Sequence, residues 1–143
     1  MTTSHRRLTA FALFALVTVE SGGRSLLGLL TNRDALTPFQ EQFFRARHGH
    51  AGVLLILALV YLVLVTQTSY GSSTQLWLSA ILLLGILLQS GGFFLHLLVG
   101  DAGAPSIGTM ITRLGALLLA VALIGLGVGI LRAGRATPPS AAH

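Results

Sequence analysis

The 143-residue sequence contains no cysteine and no lysine, since its nine basic residues are all arginine. These absences exclude disulfides, thiolate metal sites and iron–sulfur clusters. They also exclude Schiff-base chemistry and any phosphate-binding loop that needs lysine. Charge is scarce as well: 9% of the residues are charged, whereas soluble domains carry about 25%. With 53% hydrophobic residues and a mean hydropathy of +0.81, the chain does not have the composition of a water-soluble globule.

The charged residues have the wrong pattern for a nucleic-acid-binding protein. The net charge of +5 comes from thinly spread arginines, and no basic stripe is interleaved with aromatic residues, so we expect no nucleic-acid partner. The nucleophile, zinc-protease and nucleotide-loop motifs of soluble enzymes are absent too. A hydrolase or a kinase is therefore not expected, and an enzyme of this composition would be a membrane oxidoreductase.

Apolar runs are what the sequence has in abundance. They are close to the roughly 20 residues that a membrane-spanning helix needs, and they predict helices over about residues 8–30, 38–67, 75–99 and 107–132. We expect one domain over residues 1–132, an all-α integral membrane protein with an up-and-down four-helix transmembrane bundle. Residues 133–143 contain two prolines and predict a disordered tail.

The membrane orientation is predicted from the arginines that flank these segments. Basic residues are nearly balanced between the two sides, but the first helix usually dominates the positive-inside rule. Because Arg6 and Arg7 precede that helix, we expect both termini on the cytoplasmic side of a bacterial plasma membrane. Residues 1–23 also resemble a secretory signal peptide, but the apolar run continues to Leu30 and predicts a retained helix.

A short internal repeat suggests an origin for the bundle. Residues 20–23 (ESGG) match residues 89–92 (QSGG), and residues 47–49 (RHG) align with residues 113–115 (RLG). Two duplicated helical hairpins, related by a twofold axis along the membrane normal, would produce this pattern. Chance similarity in a sequence rich in glycine and leucine would produce it as well.

Ionisable residues lie inside the apolar segments, where each costs several kcal/mol unless it is paired or hydrated. From the helix rise of about 1.5 Å per residue, all four predicted helices place such a residue in the same half of the membrane. The residues of this polar layer are Glu20, Arg24, His48, His50, His96 and Arg113. Because they are distant in sequence and yet share one level, we interpret the layer as the functional centre.

The third predicted helix has a small and polar stripe within this layer. Gly85, Gln89, Gly92 and His96 follow one another at steps of four, three and four residues. Residues at these steps lie on one helix face. Because the stripe is small and polar, it predicts contact with other helices and not with lipid.

The spacing of the other polar residues predicts one ion pair and two histidine rings that point in different directions. Glu20 and Arg24 are four residues apart, so they can form an ion pair and, with Gln89, a polar network. His48 and His50 are two residues apart, which is about 200° around a regular helix. These two rings cannot both point into one site unless the helix is distorted between them.

One hypothesis for the layer is a bound haem b. Bis-imidazole ligation needs one histidine from each of two facing helices, and His96 with either His48 or His50 meets that requirement at nearly matched height. Arginines near the interface could hold the haem propionates through bidentate hydrogen bonds. These arginines are Arg45, Arg47 and Arg113.

A bare transition-metal site is the second hypothesis. His48 or His50, together with His96 and Glu20, offers imidazole and carboxylate ligands that suit copper, zinc or iron. A third hypothesis uses the same groups for proton or quinone chemistry, because histidine titrates near neutrality and a Glu–Arg pair in lipid can relay protons. Each residue also has a purely structural interpretation, as a hydrogen-bonded histidine, a marker of the membrane boundary or a structural ion pair.

Residues 45–60 (RARHGHAGVLLILALV) resemble the His-x-His segments at the start of helices in small membrane proteins of the haem-copper-oxidase type. The resemblance is confined to this stretch and assigns no role to any residue. The site predictions therefore depend on the residues themselves.

Together these patterns predict a small membrane protein that holds a haem b or a transition metal near the outer leaflet and exchanges electrons with a quinone or a partner subunit. One alternative is a cofactor-free accessory subunit of a larger membrane complex, and another is a small transporter or proton channel. A homo- or hetero-oligomer is expected in each case. Gly125 and Gly129, at GxxxG spacing, predict close helix packing or a dimer face.

Overall fold

A computed structural model of the chain describes residues 3–31, 37–100 and 103–135. Throughout these residues the regular structure is helical, and it comprises α1 (Thr3–Thr31), α2 (Pro38–Leu64), α3 (Ser72–Val99) and α4 (Ile107–Arg135). A short 3₁₀ turn, Val65–Gln67, continues α2. The all-helical prediction is therefore confirmed.

The helix ends lie within a few residues of the predicted ones. α2 begins at Pro38, a first helical position that proline favours, and the Glu41 N–H donates to the Thr37 carbonyl at 2.9 Å. α1 begins earlier than predicted, at Thr3, because no glycine or proline interrupts the chain before the apolar run. α4 continues to Arg135, and most of the predicted tail lies outside the described residues.

Three helical segments among the described residues are long and apolar enough to cross a membrane. They are His48–Gln67, Ser72–Val99 and Ile107–Gly134. α1 has a similar length, 29 residues, but Glu20 and Arg24 interrupt its apolar character. The chain therefore has at least three candidate spans, as expected for a membrane protein.

The shared core lies between the helices, and α1 completes one edge of it. Tyr61 of α2, Leu82 of α3 and Ala122 of α4 are at most 1% exposed, and α1 contributes the fully buried Ala12. Many other large apolar side chains face outward, and Leu98 is 79% exposed. Soluble monomers rarely expose apolar surface on this scale, so the outer surface suits lipid.

Consecutive helices pack against each other, so the chain forms two hairpins. The first hairpin consists of α1 and α2, and the second hairpin consists of α3 and α4. The most extensive contact in the molecule lies within the second hairpin. α2 and α3 join the two hairpins, whereas α1 touches α3 only slightly.

Glycines bring α3 and α4 together in antiparallel register. A Cβ atom built on Gly92 would lie 2.6 Å from both the Gly108 carbonyl oxygen and the Thr112 nitrogen. A Cβ atom built on Gly85 would lie 3.0 Å from the Gly115 carbonyl oxygen. Backbone therefore meets backbone, and no side chain fits between the helices. The prediction that the small and polar stripe of α3 faces another helix is confirmed.

Two tyrosines donate hydrogen bonds to α4 at the end of the molecule where α1 begins. One lies in α2 and the other in the connection between α2 and α3. The Tyr61 hydroxyl donates to the Ala122 carbonyl at 3.0 Å, and the Tyr70 hydroxyl donates to the Gly125 carbonyl at 3.0 Å. The Tyr70 ring also lies against Gly129. The glycines at GxxxG spacing therefore serve packing within the chain.

Candidate functional site

His48 lies in the first hairpin, at the contact between α2 and α1. A Cβ atom built on Gly23 would lie 2.6 Å from His48 Nε2. The imidazole therefore occupies the space that the missing side chain leaves open, and the ring is half-buried there. Gly23, the last residue of the ESGG segment, thus fixes where the His48 ring can lie.

His50 faces a different helix, α3. Its Nε2 atom lies 3.2 Å from Gln89 Nε2, a contact in which the amide donates and the ring accepts. The ring also meets Phe93 edge-on, with centroids 6.5 Å apart. Gln89 Oε1 is buried and accepts no hydrogen bond from the described residues. His48 and His50 thus diverge, as their spacing predicts.

His96 lies at the end of the second hairpin, where α3 leads into α4. It is 7% exposed, and its Nδ1 atom lies 2.8 Å from the Ser106 hydroxyl oxygen. Ser106 also caps α4, because its hydroxyl accepts from the Thr109 N–H at 3.4 Å while its own N–H donates to the Thr109 hydroxyl at 2.9 Å. His96 therefore anchors the connection between α3 and α4, away from the contacts of the other two histidines.

The charged residues of α1 are exposed and do not pair with each other. Glu20 and Arg24 both lie on the outer surface of α1, and the ion pair that their spacing predicts is not formed. Among the described residues the ion pair is between Arg45 Nη2 and Glu41 Oε1, at 2.7 Å. Arg45 is therefore already partly neutralised by a residue that the charge pattern did not single out.

The arginines predicted to hold haem propionates have different surroundings. Arg45 contacts Glu41 on its own helix, and Arg113 is exposed on α4. The Arg47 side chain lies outside the described residues. The structure thus supplies no cluster of free guanidinium groups in its described part.

The predicted ligands do not gather into one set. Among the described residues no group of three histidine, cysteine, aspartate or glutamate side chains could hold a metal ion. His48 contacts α1, and His50 contacts α3. His96 is itself in α3 and contacts Ser106, just before the start of α4. A bis-histidine haem needs two rings that face one iron. In this conformation the residues do not fit either group, and both cofactors remain predictions.

An apolar groove of about 510 Å³ lies between α1, α2 and α3. It opens outward, because α1 and α3 barely touch along it, and Phe14 and Leu87 on its rim are 72% and 63% exposed. Leu55, Ile86 and Gly91 form part of its wall. Hydropathy did not predict this groove, because its existence depends on the gap between two non-consecutive helices.

One end of the groove meets the polar layer. Ala51 and Ser90 line that end. His48 lies three residues before Ala51 and Gly23 lies four residues after Val19, another lining residue. Because residues at these spacings share a helix face, the contact between His48 and Gly23 lies about one helical turn beyond the lining residues at this end.

His5 is a buried residue that the hydropathy pattern placed outside the first span. It is 1% exposed. It shares a helix face with Leu8 and Ala12, three and seven residues further on, and that periodicity is the signal that could have found it. His5 lies at the opposite end of α1 from the polar layer, so it takes no part in that layer.

Comparisons with protein-family models, with curated proteins and with solved structures found no match. Function must therefore be inferred from the chain itself. The polar layer and the apolar groove are its two distinctive features, and His48 of the layer lies one helical turn from Ala51 of the groove.

Proposed function

We propose that the chain is an integral membrane protein that binds a lipid-soluble ligand of the quinone class in the groove between α1, α2 and α3. The observation that carries this proposal is that the groove residue Ala51 lies one helical turn from His48, whose imidazole packs against Gly23. A ligand with a long apolar chain and a polar ring matches both parts. The proposal includes four spans and the N-in, C-in orientation in a bacterial plasma membrane.

The length and packing of α1 support its role as the fourth span. Its 29 residues rise about 43 Å at 1.5 Å per residue, which exceeds the roughly 30 Å of a hydrocarbon core. Ala12 is fully buried in the shared core. A helix that packs along α2 over the same depth would lie in the bilayer with it.

The groove suits the isoprenoid or alkyl chain of such a ligand. Its volume of about 510 Å³ falls within the roughly 300–1,000 Å³ of small-molecule sites. Its wall is aliphatic and aromatic. Because it opens between α1 and α3, a ligand dissolved in the bilayer would enter sideways without crossing water.

The polar end of the groove suits a quinone ring. An imidazole such as that of His48 can donate a hydrogen bond to a carbonyl through a ring N–H, and the Ser90 hydroxyl can donate or accept. His50 and Gln89 lie beside this end, because their chain neighbours Ala51 and Ser90 line it.

The test is an equilibrium titration of the protein in nanodiscs with a decyl-substituted benzoquinone. Gly91 lines the groove, and no described heavy atom lies within 4 Å of a Cβ built there. Gly91→Leu should therefore fill the groove without a clash and weaken Kd about tenfold, the equivalent of roughly two lost methylene contacts. Gly127→Leu on α4 is the matched control, because it is equally open and lies outside the groove lining. No binding by the wild-type chain, or equal Kd values for both variants, would overturn the proposal.

A second comparison tests the polar end. His48→Leu still places a bulky side chain against Gly23 but removes the two ring nitrogens. We expect it to weaken binding of the decylquinone and to leave binding of decylbenzene, which has the same chain and no carbonyl, unchanged. If the ratio of the Kd for decylquinone to the Kd for decylbenzene is the same in the variant as in the wild type, His48 is not part of the binding site.

The haem and metal hypotheses are tested on the same protein. An oxidised and a dithionite-reduced absorption spectrum, together with metal analysis, would detect either cofactor. A Soret band that sharpens on reduction would require the histidines to rearrange into a ligand pair.

Co-purification with a larger complex would favour an accessory subunit instead, and Glu20-dependent transport in liposomes would favour a transporter or proton channel.

A further inference from the structure

The outer face of α1 carries a continuous exposed seam. Its residues follow one another at steps of four, three, four, three and four positions, and each of them is exposed: Leu13, Val17, Glu20, Arg24, Leu27 and Thr31. Alternating steps of four and three residues form the line along which two helices wind around each other. These six residues are termed the α1 seam.

Neither charge of the α1 seam forms an ion pair within the described part of the chain. Glu20 lies eleven residues before Thr31 and seventeen after Thr3, about 16 and 25 Å along the helix. Its short side chain cannot reach either end of α1 from there. It also makes no ion pair with Arg24 in the described part of the chain. A carboxylate that faces lipid in this position is unfavourable, and such residues normally pair.

We propose that the α1 seams of two copies of this chain pack in parallel, with Glu20 of each copy paired to Arg24 of the other. Copies that share one membrane orientation present the seam in parallel, and a twofold axis makes the two ion pairs equivalent. The two residues differ by four positions, or about 6 Å in height, which an extended arginine side chain spans. Because the seam holds one acid and one base, it is its own electrostatic complement.

A glycine beside the α1 seam gives a second helix room to approach. Gly28 lies four residues after Arg24 and three before Thr31, so it shares their side of the helix. It is exposed, and no described heavy atom lies within 4 Å of a Cβ built there. Small residues of this kind are enriched where membrane helices meet.

The α1 seam and the groove lie on different faces of the helix. Phe11 and Ala15 line the groove, whereas Val17 and Glu20 belong to the seam. Nine residues separate Phe11 from Glu20, which is about 180° around the helix. Dimerisation would leave the groove open, so this proposal does not depend on quinone binding.

Charge exchange tests whether the second helix belongs to another copy. Glu20→Arg makes both charges of the seam positive, and Arg24→Glu makes both negative. Each single variant should lose self-association by about tenfold or more, yet the two variants mixed should associate with each other. The double variant Glu20→Arg/Arg24→Glu should self-associate like the wild type. Association is measured by energy transfer in liposomes between dyes on an introduced cysteine, Leu98→Cys, since the chain has no cysteine of its own.

Cross-linking gives an independent reading of the geometry. Val17→Cys lies in the α1 seam and should form an intermolecular disulfide, whereas Phe11→Cys on the groove face should not. Helical content and gel-filtration profile are checked for every variant. A monomeric wild-type chain, single variants that associate like the wild type, or folded single variants that fail to associate with each other would each overturn the proposal.

Discussion

The two hairpins of this molecule are held together in different ways. In the second hairpin the backbone of α3 meets the backbone of α4 at Gly92 and Gly108. In the first hairpin an imidazole, His48, fills the space beside Gly23. A backbone contact fixes the helix separation and leaves no volume for a ligand. A side-chain contact keeps a polar group and adjoining space. We therefore interpret the second hairpin as the scaffold and the first hairpin, which encloses the groove together with α3, as the adaptable side of the site.

The same short segment produces both contacts. Gly23 ends ESGG in α1 and Gly92 ends QSGG in α3, and each glycine faces the next helix of its own hairpin. The neighbours differ: Gly23 meets the movable end of a side chain, whereas Gly92 meets main-chain atoms. Duplication of an ancestral hairpin remains a prediction, but the shared position makes the two glycines a matched pair for experiment.

The largest expected effect is that of Gly92→Ala. The added methyl would lie 2.6 Å from the Gly108 carbonyl oxygen, and the two helices would have to separate. Overpacking of this kind costs about 1–3 kcal/mol, so the free energy of unfolding in mixed micelles should fall by that amount. Gly23→Ala should cost less than about 1 kcal/mol, because the His48 ring can swing away.

Gly91, the neighbour of Gly92, supplies the control for this comparison. No described heavy atom lies within 4 Å of a Cβ built on Gly91, so Gly91→Ala should leave the free energy of unfolding unchanged or raise it slightly through helix propensity. If Gly23→Ala proved as costly as Gly92→Ala, the first hairpin would be as rigid as the second. The contrast between a scaffold and a site would then fail.

Local sequence pattern predicted much of this contrast, but not its central contact. The apolar runs predicted the helices, the stripe through Gly92 predicted the α3–α4 contact, and the 200° between His48 and His50 predicted their divergence. The groove and the Gly23 contact of His48 depend on how α1 is rotated and shifted against its neighbours. Helical periodicity identifies faces, but it does not state which face of one helix meets which residue of another.

An intermediate effect is expected for Tyr61→Phe, which acts between the two hairpins. The Tyr61 hydroxyl is buried and donates to the Ala122 carbonyl at 3.0 Å, so it ties α2 to α4. Loss of one such hydrogen bond costs about 1 kcal/mol, and phenylalanine keeps the ring in place. Thermal unfolding in detergent should report this loss. Tyr70→Phe, at the less buried bond to Gly125, should cost less, and equal costs would show that the two bonds are equally shielded.

The smallest effect is expected for Arg45→Gln. Arg45 and Glu41 form an i,i+4 pair with side chains 62% and 43% exposed, and both precede the apolar segment His48–Gln67. Exposed pairs of this kind contribute about 0.3–0.5 kcal/mol, so the free energy of unfolding should fall by no more than that, and added salt should remove the difference. Glu20 and Arg24 have the same spacing, but in the proposed fourth span they would lie away from water. A loss above about 1 kcal/mol for Arg45→Gln, beyond the range of exposed pairs, would mean that Arg45 is desolvated by a partner or a ligand. That result would support the sequence-based prediction that Arg45 holds an anionic group such as a haem propionate. It would also extend the site to the start of α2.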